Sequence, residues 1–459
     1  MSKPSIGFVG LGAMGFGMAT HLVKEGYAVH GFDVFPASVE RFKAAGGIPA
    51  SSLQDSAKEK DFYVCMVASA PQVQSVLFGD DGIVAGKTPT PTTPIPNALK
   101  SRNIKLTHIT ALPKNATLLL CSTVPASYAQ SVAAELTSFG RSDISFIDAP
   151  VSGGALRAAA GTLSIMAGAP DVALEKGRFL LQEMSDANKL YLVPGGIGAG
   201  SNMKMVHQVL AGIHILGASE AQGFAARLGL DAVKTGEAIK SSAAWSWMHE
   251  NRLQRMLDED WYPGASALTI ILKDVGIITT SARQSQFPTP LCSTAEQVYL
   301  SALLQGYGPV DDSSMVRQYF AEPITKVSST MSEEETTEAL QLVLDLMEVT
   351  NLVAAAEAIS FARYLNVDLK QFYTLVADAA GASRQFMTKG LEIIDGLGQG
   401  TNGETVDDAT SRLEKAVQKA RDLHCPLNLG NAALSVLFMA KKSGLGTEGS
   451  ASVVKAFEH

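Results

Sequence analysis

Two patterns of apolar residues divide this chain near residue 196. Before it, short apolar runs alternate with stretches of helical periodicity. Ile6-Gly-Phe-Val-Gly10, Tyr27 to Phe32, Phe62-Tyr-Val-Cys-Met-Val67, Leu118-Leu-Leu-Cys121 and Phe146-Ile-Asp148 have the length and continuity of buried strands. Helical segments separate them, which predicts a parallel, doubly wound α/β sheet. After residue 196 strand signals cease. An apolar run from about Ser201 to Leu228 reads as one helix, roughly 40 Å long at the α-helical rise. A polar stretch, Glu322 to Thr330, then leads to Ser332-Glu-Glu-Glu335. That is a capping box opening a second long helix. The expected organisation is an α/β domain over 1–195, a helical domain over 196–325 and another over 331–459.

The turn after the first run carries Gly10-Leu11-Gly12-Ala13-Met14-Gly15. In a strand–turn–helix setting the spacing has mechanical reasons. Gly10 permits the tight turn, Gly12 lets backbone approach a pyrophosphate, and Gly15 lets helix and strand pack closely. The helix start then offers unpaired N–H groups to phosphates. Asp33 closes the second run and can accept hydrogen bonds from an adenosine ribose, whereas a 2′-phosphate would meet like charge there. A Rossmann domain binding NAD rather than NADP is the expectation. Val67, Ala68, Ser122 and Thr123 fall at strand carboxyl ends, where ligands of such sheets lie; Val67 and Ala68 suit plain packing equally well.

Two further stretches carry candidate chemistry. Asp148-Ala-Pro-Val-Ser152-Gly153-Gly154 places small residues after a strand, so backbone N–H groups and the Ser152 hydroxyl form either an anion-binding nest or simply a tight turn. Gly198-Ala-Gly-Ser-Asn-Met-Lys204-Met-Val-His207-Gln208 opens the long helix. Lys204, His207 and Gln208 stand at i, i+3 and i+4 and share one face. A lysine, an imidazole and an amide grouped there suit a small polar substrate. One segment fits no element: Lys87 to Thr110, with Thr-Pro-Thr-Pro-Thr-Thr-Pro-Ile-Pro inside it, reads either as a surface insertion or as a translated intron, since the codons for Gly86-Lys87 can contain a splice-donor sequence.

Composition narrows the partners. With 46% apolar and 18% charged residues, sizeable cores are expected. A net charge of −8 without a basic stripe argues against nucleic acid and anionic membranes. Cys65, Cys121, Cys292 and Cys425 have no metal-ligand or disulfide spacing, so no metal is expected and the thiols read as reduced. The first strand run begins within a few residues of Met1 and no apolar stretch has membrane-spanning length, which makes the cytoplasm the expected location.

Together these motifs resemble the β-hydroxyacid dehydrogenase family, which includes 3-hydroxyisobutyrate dehydrogenase. The carriers are residues 10–15, 148–154 and 198–204, with Lys273-Asp274 ahead of Ala282-Arg283. They span roughly residues 5–320 in family order. The resemblance implies an NAD-dependent oxidoreductase acting on a small hydroxy acid. It implies Lys204 as catalytic, Ser152, Gly153 and Gly154 as carriers of the substrate carboxylate, and Thr123 and Lys273 as cofactor contacts. Many members have two asparagines three and four residues after the catalytic lysine, where this chain has His207-Gln208. That pair, with Ser241 to Arg252, looks more like the L-threonate and four-carbon sugar-acid branch, with a 3-hydroxyisobutyrate dehydrogenase or a reductase of short aldehyde acids as the alternative. On this reading Lys204 relays the hydroxyl proton or stabilises the developing charge, Gln208 orients the hydroxyl, and His207 contacts a further hydroxyl or caps the helix face.

The last third echoes the middle third. Ala356-Glu357-Ala358 and Asp368 match Ser219-Glu220-Ala221 and Asp231 at a shift of 137; Ala420-Arg421 and Pro426 match Ala282-Arg283 and Pro288 at 138. A duplicated helical domain follows. The copy reads as inert, because Gln341 stands where Lys204 should and Ser411 where Lys273 should; Asp260 to Gly264 is replaced by the stretch Gly396 to Asp408. Family helical domains pair in dimers, so the second copy is expected to take a partner domain's place and cover an apolar face, with a homo-oligomer still compatible; the alternative is an independent ligand-binding module. The rival class is a non-catalytic nucleotide-binding or scaffolding protein, against which Lys204 argues.

Overall fold

The computed structural model describes residues 3–84, 110–259, 261–262, 264–396 and 403–458. The insertion expected at Lys87 to Thr110 lies outside them except for Thr110, as do parts of Asp260 to Gly264 and of Gly396 to Asp408. The chain divides into two compact units, Met1–Lys204 and Met205–His459.

The first unit is built on β1 (Ile6–Val9), α1 (Ala13–Lys24), β2 (Val29–Phe32), α2 (Pro36–Ala44), β3 (Ile48–Pro49), α3 (Leu53–Ala57), β4 (Phe62–Cys65), α4 (Ala70–Phe78), β5 (Thr117–Leu120), α5 (Ala126–Ser138) and β6 (Ser145–Asp148). Its sheet has the order β3-β2-β1-β4-β5-β6 with all neighbours parallel. This is the Rossmann order, whose reversal point lies between β1 and β4. The buried runs expected from sequence are these strands. β3 went unread because it has two residues, one a proline, at a sheet edge. Also unread was a second sheet of β7 (Val151–Ser152), β8 (Leu163–Ala167) and β9 (Ser185–Leu192), interleaved with α6 (Gly154–Ala160) and α7 (Asp171–Met184). Leu163–Ala167 is buried throughout; among glycines and alanines, five residues carry too short a period to stand out.

The helix α8 (Ala199–Leu228) begins in the first unit and continues into the second. The second unit continues with α9 (Ala232–Lys240), α10 (Trp247–Asp258), α11 (Leu268–Ser285) and α12 (Pro290–Leu304), then α13 (Glu333–Tyr364), α14 (Leu369–Ala377), α15 (Arg384–Asp395), α16 (Val406–Asp422) and α17 (Asn428–Lys442). The two sets are copies. α14 and α15 begin 137 residues after α9 and α10, and α16 and α17 begin 138 after α11 and α12. The caps recur as well: Asp231 and Asp368 each accept from the backbone N–H three residues on, as do Ser246 and Ser383. Ser332 and Glu335 form the expected capping box at the start of α13.

The copies interlock about a local pseudo-two-fold axis. Near it, the Trp247 N–H donates to the Ala382 carbonyl and the Arg384 N–H to the Trp245 carbonyl, both at 2.9 Å, around the antiparallel bridge Ser246–Ser383. Further out, each copy supplies a buried glutamate to the other. Glu220 of α8 accepts from Leu429 N–H (3.0 Å) and Gly430 N–H (2.9 Å) at the start of α17. Its counterpart Glu357 of α13 accepts from Leu291 N–H (2.8 Å) and Cys292 N–H (2.9 Å) at the start of α12. The first turn of a helix lacks acceptors for its N–H groups, and a carboxylate there also meets the favourable end of the dipole.

Glu357→Ala strands two buried N–H groups and is expected to lower stability by about 2–4 kcal/mol in urea unfolding, given the cost of unsatisfied buried donors. Burial pushes both Glu220 and Glu357 up to about 7, against the pull of the helix N–H bonds. A folded value above the ordinary 4.5 means the folded state holds the extra protons. The contribution of these two groups to stability should therefore be greatest below about pH 4.5 and fall as pH rises to about 7, and Glu357→Gln should flatten that slope.

Candidate active site

In the first unit the glycine-rich turn has the shape that its spacing predicts. Gly10 has φ +91°, and a Cβ there would stand 2.1 Å from the Met66 carbonyl oxygen. A Cβ on Gly15 would stand 1.9 Å from the Gly10 oxygen, so the helix can sit this close to the strand end only without a side chain. A Cβ on Gly12 would meet nothing within 4 Å, and Gly12 caps α1 without a side-chain acceptor. The helix start therefore opens through Leu11, Gly12, Ala13 and Met14 onto space that a pyrophosphate fits. Asp33 closes β2 as expected and braces this turn: its carboxylate accepts from Leu11 N–H at 2.6 Å and Phe35 N–H at 2.9 Å. Arg41 adds a bond from its guanidinium to the Leu11 carbonyl at 3.1 Å. These residues fit an NAD moiety with its phosphates at the helix start. The carboxyl ends of β4 and β5 are joined by the Val67 N–H, which donates to the buried Ser122 hydroxyl at 2.9 Å, and so bring Val67 beside the neighbour of Thr123.

Ser152 ends β7 and is buried; Gly153 and Gly154 follow with φ +138° and +74°. Side chains rarely adopt either angle, which accounts for both glycines, and a Cβ on Gly154 would meet open space. A surface concavity of about 990 Å³ along α7 and Leu192–Gly196 contains none of the expected site residues.

The start of α8 is pinned by a residue to which sequence reading gave no role. Asp148, fully buried at the end of β6, accepts from Gly198 N–H (3.1 Å), Ser201 N–H (2.8 Å) and the Ser201 hydroxyl (2.7 Å). Burial raises its carboxyl to about 6 while these bonds oppose the rise. Three residues on from Ser201, Lys204 is buried in its turn.

Gln208 and Lys273 belong to the second unit. The Gln208 amide donates through Nε2 to Asp274 Oδ2 at 2.6 Å, and Asp274 Oδ1 pairs with Lys273 Nζ at 3.1 Å. Asp274 thus joins two expected site residues, which only its place in the Lys-Asp pair could have signalled. His207, expected to contact a further hydroxyl or cap the helix face, packs against the second copy. Its ring is fully buried, Nε2 lies 3.2 Å from the Gly381 N–H that donates to it, and Nδ1 lies 3.1 Å from Gln208 Oε1. The second copy packs onto this part of α8, which sequence periodicity alone presents as polar.

At the corresponding place in the second copy the polar pair is inverted. Asp345 replaces Gln208 and Arg412 replaces Asp274, and Arg412 Nε donates to Asp345 Oδ1 at 2.9 Å. Arg412 also bonds Glu348 at 2.8 Å and Glu404, while Gln341, at the lysine position, donates to Asp345 at 2.8 Å. A guanidinium among three carboxylates is a structural ion cluster with no lysine in it.

Family models match across both units. One described as the NAD binding domain of 6-phosphogluconate dehydrogenase matches residues 5–93 and 95–195. One described as NAD-binding of NADP-dependent 3-hydroxyisobutyrate dehydrogenase matches twice, over 198–319 and 336–457. The chain belongs to the 3-hydroxyisobutyrate dehydrogenase-like family. This is a family of NAD-dependent oxidoreductases acting on CH–OH groups, and the double match supports the duplication seen in the helices. An L-threonate dehydrogenase of Cupriavidus necator is 35% identical over 313 residues, 68% of this chain and 95% of that protein. The crystal structure of a 3-hydroxyisobutyrate dehydrogenase from Salmonella typhimurium is 33% identical, with a TM-score of 0.59 over 69% of this chain and 100% of that one. The Plasmodium falciparum 6-phosphogluconate dehydrogenase, 14% identical, shares the fold at a TM-score of 0.64 over 95% of this chain and 92% of its own. Among the described residues no helix is long and apolar enough to cross a membrane.

Asp148→Ala would leave the first N–H groups of α8 without their buried acceptor. A loss of about 2–4 kcal/mol is expected, with faster amide exchange at Gly198 and Ser201 as the local readout.

Proposed function

We propose that this chain oxidises a small hydroxy acid of the four-carbon sugar-acid type, such as L-threonate or D-erythronate. The observation that carries the reading is Gln208, an amide one turn after Lys204 on α8 and held by Asp274. A long amide in place of a short one suits a polyhydroxy chain with several donors and acceptors. The likeness to L-threonate dehydrogenases supports the same substrate class. A second reading, 3-hydroxyisobutyrate as substrate, draws on the likeness to the Salmonella protein.

Bound NAD supplies the hydride acceptor. The glycine turn from Gly10 to Gly15, Asp33, Val67, Thr123 and Lys273 hold it, with Asp33 favouring a free ribose over a 2′-phosphate. Ser152 and the backbone of Gly153 and Gly154 receive the substrate carboxylate. Gln208 orients the hydroxyl to be oxidised, and Lys204 relays its proton. In reverse, Lys204 protonates the forming alkoxide. The second helical copy stands where a partner subunit's domain would pack in a dimer.

NADH appearance with L-threonate, D-erythronate and 3-hydroxyisobutyrate tests this. A rate on a four-carbon acid is expected, and Lys204→Ala should lower kcat by about 10²- to 10⁴-fold, the usual worth of a general acid–base. A rate confined to 3-hydroxyisobutyrate would select the second reading. Asp33→Ser should narrow the preference for NAD over NADP by about tenfold or more, since removing a carboxylate beside a dianionic phosphate relieves more than one unit of repulsion.

A further inference from the structure

The ring of His207 lies between the second copy and Gln208, and its hydrogen-bond partners determine its state from both ends. On one side is the Gly381 N–H, which can only donate, so Nε2 must accept. On the other side the reasoning starts at Asp274. Paired with Lys273 as a carboxylate, it can only accept, so the Gln208 atom facing it is the NH₂ group. The Gln208 oxygen then faces His207, and Nδ1 must be the donor across that 3.1 Å contact. Both arguments give the same neutral ring, with its proton on Nδ1. The tautomer of a histidine is set by the bonds its two nitrogens make, and here one of those bonds comes from the duplicated copy.

We propose that the second helical copy, through the Gly381 N–H and His207, holds the Gln208 amide in the orientation that Asp274 favours from the other side, so that His207 is a positioning residue rather than a substrate ligand. The catalytic consequence rests on the role given to Gln208 above; the orientation itself does not. Reversing the amide would set its NH₂ group against the Nδ1 proton and its oxygen against the Asp274 carboxylate. The close approach depends on glycine. A Cβ on residue 381 would stand 3.3 Å from His207 Cδ2 and 3.2 Å from Leu210 Cβ, tight enough to displace the ring. The copy that has lost the lysine and inverted the Gln–Asp pair thus retains a part in the site of the other copy.

Two measurements on the full chain test this. The first needs no activity: in ¹⁵N-histidine-labelled protein, the resonances missing from His207→Phe should show a neutral ring protonated at Nδ1 and bare at Nε2. A ring protonated at Nε2 would overturn the proposal. The second is kinetic. His207→Phe keeps the ring volume and removes the bonds to Gly381 and Gln208, and should lower kcat at least tenfold with the Kd for NAD unchanged. His207→Asn restores a donor at the Nδ1 position and should recover most of the loss. A kcat within twofold of wild type in folded His207→Phe would also refute the idea. Should that variant not fold, Gly381→Ala takes its place, with a three- to tenfold fall in kcat expected and an unchanged kcat counting against the proposal. A wild-type chain that oxidises none of the acids would remove the proposed function, while the tautomer would still decide the orientation.

Discussion

Buried carboxylates at helix starts hold this molecule together. Asp148 accepts the first N–H groups of α8, Glu220 those of α17 and Glu357 those of α12. Each is a charged or chargeable group taken out of water, a costly step unless its lone pairs are filled. Each is filled by donors that a helix start cannot satisfy within itself. Bonds of this kind are directional, so they fix the start of a helix to one place where apolar packing alone would allow sliding. In the first unit this places the turn of α8 that leads to Lys204. In the second it ties two copies of a helical domain into one body.

The two copies have diverged in opposite directions around the same scaffold. The helices, the caps and the exchanged glutamates repeat at a shift of 137 or 138 residues. The polar pair on the long helix does not: an amide with a carboxylate in the first copy becomes a carboxylate with a guanidinium in the second. Each pair is hydrogen-bonded, so pairing alone does not distinguish them. Chemistry does, since the first keeps a lysine one turn away and the second has a glutamine tied into an ion cluster.

Small residues line both long helices. Ala354, Ala355, Ala356 and Ala358 of α13 are wholly buried, as are Ala218 and Ala221 of α8, and such small-residue surfaces need a close neighbour to exclude water.

Much of this was written in local sequence. Strand runs, the glycine turn, Asp33, the capping box at Ser332 and the repeat each depend on residues close together in the chain, or on a shift that can be counted. Gly10 is required by its backbone angle and Gly15 by its close approach to Gly10, constraints that act within a few residues. Tertiary structure decided what depends on partners far along the chain. Asp148 meets Ser201 across 53 residues, Gln208 meets Asp274 across 66, and Gly381 meets His207 across 174. His207 is the clearest case: its spacing from Lys204 places it on a polar helix face, and a turn of the second copy buries it. Periodicity reports which face of a helix a residue occupies. Only packing determines what covers that face, because burial and hydrogen-bond partners are properties of the assembled surface and not of the segment.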